Sequence, residues 1–220
     1  MPSVAAARTT LSSGPDSEFM HVAIILYDGF DELDAVAPFE VFQNAGAAGA
    51  DCEAELVALD DREFVTASHG MRIGVDGVLD PETDRPDLLV VPGGGWNSRA
   101  DQSAWAEAEK GEIPDAIAAF HEAGTTVAGV CTGGMLLARA GILDGRPAVT
   151  HGGALSDLHE TAAEVVEARV VDDGDVLTAG GVTSGLDLSL HLVEREFGSD
   201  IADAVSTEIE YERRTKPFAG

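Results

Sequence analysis

A chain of 220 residues can hold one α/β domain with a full core, and an apolar fraction of 45% excludes wholesale disorder. Forty Asp and Glu against thirteen Lys and Arg give a formal net charge of −27, which repels phosphates and argues against a nucleic-acid partner. The acids are spread along the chain instead of gathered in a tail, which favours a solvated, salt-adapted shell over an acidic partner surface. Stability should therefore rise with salt, and a flat melting temperature between low and molar salt would rule such a shell out. Residues 1–18, rich in Ala, Ser, Thr, Gly and Pro, read as a flexible extension without the apolar stretch of a signal peptide. Residues 19–214 read as one domain and 215–220 as a tail. No apolar run reaches the length of a membrane span, so a cytoplasmic protein without a membrane partner is expected. Cys52 and Cys131 lack CxxC or Cys/His spacing and read as free thiols, not as a zinc site.

The domain alternates short apolar runs with amphipathic segments, which predicts a mostly parallel sheet covered by helices. Residues 21–27 (HVAIILY) are nearly continuous aliphatic, as a strand buried on both faces should be, and Asp28-Gly29 ends it. A helix follows from about 31 to 45, with Pro38 marking a kink or a later start and Gly46 the stop. Residues 55–59 form the next strand, and 62–79, which alternate and carry Gly70, Gly74 and Gly77, form a hairpin excursion. Residues 87–91 are another buried strand that runs into Pro92-Gly93-Gly94-Gly95. Then come a helix at 113–122, a strand at 125–130 leading into Cys131, a helix at 135–140 closed by Gly141, and a short extended stretch at 148–150. Residues 164–171 and 176–178 flank the turn Asp172-Asp173-Gly174-Asp175. An amphipathic helix covers 184–197, with Ser184 and Asp187 as a capping box in which Asp replaces the usual Glu, and a last helix covers 200–213.

Cys131 stands out. Five β-prone residues precede it and Thr132-Gly133-Gly134 follow, then helix formers. That places the thiol in a strand–turn–helix elbow at the carboxyl edge of a parallel sheet, where α/β folds put ligands. The helix N-terminus there is expected to stabilise a thiolate. Pro92-Gly93-Gly94-Gly95 can present backbone N–H groups to a developing anion, but lacks the Lys and Ser/Thr of a phosphate loop. Asp31, Glu32 and Asp34 crowd a helix start, which acids favour in any case. His151, after an extended stretch, reads equally as a proton shuttle or a satisfied half-buried side chain. The other five histidines have no metal-site spacing.

Taken together and in order, several segments resemble the ThiJ/PfpI superfamily. They are Phe30-Asp31-Glu32-Leu33-Asp34, Ala37-Pro38-Phe39-Glu40-Val41-Phe42, Val91-Pro92-Gly93-Gly94, Val130-Cys131-Thr132-Gly133, Ala140-Gly141-Ile142-Leu143-Asp144-Gly145-Arg146, Thr150-His151 and Gly180-Gly181-Val182-Thr183-Ser184-Gly185-Leu186-Asp187. Within it the chain looks most like the isonitrile hydratase branch. The resemblance implies a flavodoxin-like three-layer α/β sandwich with a nucleophile elbow, usually a homodimer. It implies Cys131 as nucleophile, Asp34 as the acid beside it and Thr132 as a third catalytic residue. Gly94, Gly95, Gly133 and His151 would line the substrate and anion site, with the N–H groups of Gly94 and Thr132 as donors.

Two departures matter. Thr132 stands where peptidase-like relatives carry histidine, which argues against proteolysis. Gly152 stands where the hydratase branch has tryptophan, which reshapes the pocket. The same core is fused to DNA-binding modules in AraC-type regulators, but 220 residues of this charge leave no place for one. The expected reaction is hydration of an isonitrile to an N-substituted formamide through a Cys131 thioimidate, with no metal or organic cofactor and a small electrophile as the partner. The alternatives are a glyoxalase- or deglycase-like enzyme for reactive carbonyls, and a non-enzymatic cysteine sensor whose exposed, low-pKa thiol oxidises readily.

Overall fold

The aliphatic run that opens the domain forms β1 (Met20–Ile25), an interior strand of the sheet, in the computed structural model, which describes residues 19–214 and 216–219. Next come α1 (Glu32–Ala47), β2 (Cys52–Ala58), β3 (Phe64–Thr66), β4 (Arg72–Gly74), β5 (Gly77–Val78) and β6 (Leu88–Val91). They are followed by α2 (Ala104–Lys110), α3 (Glu112–Glu122), β7 (Thr126–Val130), α4 (Gly133–Arg139), β8 (Pro147–Ala148) and α5 (Leu155–Leu158). The last elements are β9 (Glu164–Val165), β10 (Val170–Asp172), β11 (Val176–Ala179), α6 (Ser184–Phe197), α7 (Ser199–Glu208) and β12 (Phe218–Ala219).

The main sheet runs β12-β10-β11-β7-β6-β1-β2-β5. From β11 to β5 it is parallel; β10 turns antiparallel to β11 and carries β12 beside it. Strands β1, β6 and β7 are covered on both faces, which is why residues 22–25, 88–91 and 127–130 carry no polar side chain. Helices α1, α6 and α7 pack on one another, as do α2, α3 and α4, and the sheet lies between the two groups. This is the flavodoxin-like three-layer sandwich expected from the sequence. None of its helices, among the described residues, is long and apolar enough to cross a membrane.

Several local expectations change. Helix α1 starts at Glu32, capped by the Asp31 carboxylate on the Leu33 N–H, so Pro38 lies inside it and marks no later start. The proline removes the donor that would have met the Asp34 carbonyl. The 62–79 excursion is the antiparallel pair β3–β4, after which β5 rejoins the main sheet beside β2. The 164–171 stretch is two strands: β9 pairs with β8 in a separate sheet, and β10 enters the main one. No capping box forms at α6. Thr183 flanks the helix without a side-chain cap, and Asp187 turns to Arg169 and Tyr211 instead. Helix α7 stops at Glu208, short of residue 213. Helices α2 and α5 have no counterpart in the sequence reading. The 1–18 extension lies outside the described residues.

Candidate active site

The elbow forms as the residues require. Cys131 has φ 57°, a left-handed backbone rare for a side chain other than glycine. Its N–H is shared between the carbonyls of Ala179 (3.1 Å) and Gly180 (3.0 Å), and its carbonyl accepts from Thr150 Oγ1 (2.9 Å). Gly133 lets the elbow close on β6, since a Cβ there would lie 2.0 Å from the Val91 carbonyl oxygen. Gly95 likewise makes room for the start of α2, where a Cβ would lie 2.6 Å from that of Ser103. The sequence reading places both glycines at the substrate site; the structure gives both a packing reason.

The three acids at the start of α1 part company. Asp31 caps the helix, and its N–H donates to the Gly93 carbonyl (2.7 Å). Glu32 reaches back to the β3–β4 turn, bonding His69 Nδ1 (2.7 Å) and the His69 N–H (2.8 Å). Asp34 is 0% exposed and sits against the Cys131 thiol, which is 5% exposed. Its Oδ2 accepts from the Gly93 N–H (3.0 Å), and its Oδ1 has no other partner that meets hydrogen-bond geometry. The structure thus brings Asp34, Cys131 and Thr132 to one place and adds the Gly93 N–H, which the sequence reading did not single out.

Burial, helped by the charge of Asp31, pushes the Asp34 carboxyl up to about 8. Burial and the charge of Asp34 push the Cys131 thiol up to about 12, against the N–H groups of Val182 and Thr132, which favour its anion. Both groups are pushed the same way, because a small dry site cannot hold two anions. Near neutrality the acid and the thiol both keep their protons. This corrects the expected helix-stabilised thiolate: desolvation outweighs the helix end. Tyr27, whose hydroxyl donates to the Pro92 carbonyl (2.8 Å), is raised by burial and by Asp34 in turn.

The Gly94 N–H, expected as an anion donor, is already donated to Thr132 Oγ1 (2.9 Å). The N–H groups that meet the sulfur are those of Thr132 and Val182. The sequence reading misses Val182 as a donor. The available signal is its place after Gly180-Gly181 at the carboxyl end of β11, the strand beside β7. His151 Nδ1 accepts from the Gly153 N–H (3.0 Å), so the neutral ring carries its proton on Nε2. The ring packs on Gly181, where a Cβ would lie 2.5 Å from His151 Cδ2. Gly152 is open, with nothing within 4 Å of an added Cβ. Cys52 is buried and free, and burial raises it to about 11.

One grouping among the described residues could hold a metal ion. Asp31, Glu32 and His69 bring one ligand atom each within 4.8 Å of one another. Glu32 and His69 are already bonded together there. Burial would raise the Glu32 carboxyl, but its bonds to His69 and to backbone N–H groups hold it down at about 2.

The DJ-1/PfpI family model matches residues 20–195. The chain is 32% identical to the isonitrile hydratase of Pseudomonas putida, over 87% of this chain and 78% of that protein. It is 31% identical to a deglycase of Thermococcus kodakarensis, over 71% of this chain and 87% of that one. It spans about half the length of some other curated relatives it matches. Among solved structures, a ThiJ/PfpI family protein from Pseudomonas syringae superposes with a TM-score of 0.76 at 27% identity, covering 97% of this chain and 86% of that one.

Proposed function

This chain belongs to the DJ-1/PfpI family, and we propose that it is a cysteine-dependent hydratase that adds water to isonitriles. One observation carries the reading: a carboxyl held in its acid form directly against a thiol. Isonitrile hydration needs a proton at the terminal carbon in the same event that brings a nucleophile to it. The Asp34 carboxyl gives its proton to the carbon of R–N≡C and takes up the Cys131 proton as the sulfur adds. The product is a thioimidate, R–N=CH–S–Cys131, and the acid is regenerated. Water then adds to that carbon, its proton passing through Asp34 to the nitrogen. The C–S bond breaks, the thiol recovers its proton, and R–NH–CHO leaves. The N–H groups of Thr132 and Val182 hold the sulfur as it gains and loses charge. The chain works as a cytoplasmic homodimer, for which exposed Leu33, Phe64 and Met71 offer apolar surface.

A second reading is supported by the likeness to the deglycase, in which the same thiol would add to a reactive carbonyl. A simple alkyl isonitrile and methylglyoxal offered side by side separate the two. The expected result is release of the alkyl formamide, with slower or no loss of methylglyoxal. Turnover of methylglyoxal alone would replace the first reading with the second. The redox-sensor reading fits less well, because burial and Asp34 raise the thiol where a sensor needs it lowered.

A further inference from the structure

Two residues remote from the thiol fix the turn that carries the Val182 N–H. We propose that Arg169 is a positioning residue for Cys131: it grips the 180–183 turn at both ends and is itself fixed by the buried carboxylate of Asp187. The proposal rests on the reading of Cys131 as the reacting group.

The Arg169 carbonyl accepts from the Gly180 N–H (3.0 Å), and its Nη2 donates to Thr183 Oγ1 (3.1 Å). Between these two grips lie both contacts that the turn makes with Cys131. The Gly180 carbonyl accepts from the Cys131 N–H (3.0 Å), and the Val182 N–H meets the sulfur. Val182 has φ 36°, a conformation that a β-branched residue keeps only when its surroundings over-determine it. His151 presses on Gly181 at the same turn.

Asp187, 4% exposed, accepts from Arg169 Nε (2.5 Å), from the Tyr211 hydroxyl (2.8 Å) and from the Arg214 N–H (3.0 Å). The planar fork of arginine can serve Asp187 and Thr183 at once, which a lysine ammonium cannot do in that geometry. A helix cap would have tied Asp187 to its own backbone. Here it anchors the side chain that sets the turn.

The test follows alkylation of Cys131 by iodoacetamide against pH, with peptide mapping to separate Cys131 from Cys52. Thr183→Val removes one grip at an exposed position and leaves the Arg169–Asp187 pair in place. It should alkylate about tenfold more slowly, with its rate curve moved to higher pH and its melting temperature unchanged. Thr183→Ser, which keeps the hydroxyl, should return to the wild-type curve. Arg169→Lys should follow Thr183→Val and lower kcat on an isonitrile with KM unchanged. Asp34 and Tyr27, the titratable groups that act on this thiol, are intact in all three variants, so the shift isolates the turn. Alkylation of Thr183→Val at the wild-type rate with the wild-type pH curve would overturn the proposal. If Arg169→Lys does not fold, the two Thr183 variants decide alone. If the wild type turns over no isonitrile, the alkylation comparison still stands, so the two failures are distinguishable.

Discussion

Cys131→Ala should lose formamide production by at least about a thousandfold while the protein stays folded. Alanine keeps the Cβ and accepts the same left-handed backbone at the same cost as cysteine, so the elbow survives. What goes is the only atom there that can bond to the isonitrile carbon and later leave it. Asp34 remains in its acid form beside an empty space, and water is left without covalent help. The check is formamide release by chromatography, with far-ultraviolet circular dichroism confirming the fold. Full activity in this variant would remove the mechanism.

Asp34→Asn should lower kcat by about 10²–10⁴-fold, since the amide keeps the shape but cannot pass a proton. The pH dependence has a definite sign. The acid form is required, so the wild-type rate falls as pH rises through about 8, where Asp34 ionises in the folded protein. Stability runs the same way. The folded pKa lies above the unfolded one, so the folded state keeps a proton that the unfolded state releases. Stability is therefore greatest below the unfolded value near 4 and is lost as pH rises towards about 8. The asparagine has no such proton to lose. At pH 9 it should be more stable than wild type by about 5 kcal/mol, and the gap should close as the pH falls towards 4. Chemical denaturation at several pH values measures this directly. An asparagine variant with the wild-type rate–pH curve would take Asp34 out of the chemistry.

Much of this site is legible in the chain because its parts follow strands. Residues 125–130 and 87–91 are short apolar runs that end in glycine-bearing turns, and a parallel sheet puts such turns at one edge. Asp34 is legible only through resemblance. Composition gives three equal acids at the start of α1, and it takes the folded chain to cap with one, fasten the hairpin with another and bury the third. The Gly94 donor is misread because nothing in the sequence says which way Thr132 Oγ1 points. Val182 is missed because its contribution is a backbone N–H from a turn 51 positions further on, set by a dihedral angle that no residue type announces. Helix α2 is missed although Ser103 caps it and AWAEAEK is rich in helix formers, because tryptophan and alanine leave no clear apolar stripe.

The glycine loop after β6 is stitched to both of its neighbours. Gly93 donates to Asp34 and accepts from Asp31 on one side, and Gly94 donates to Thr132 on the other. One of these cross-links joins backbone to backbone and the other two tie a glycine N–H to a buried side chain, all at the end of the fully buried strand β6. Such a seam has no hinge. Exchange of the Gly93 and Gly94 amides with heavy water should therefore track global unfolding and show no faster local opening. The chemistry runs in a mould cast when the chain folds, so selectivity falls to a shape that no opening of this loop adjusts.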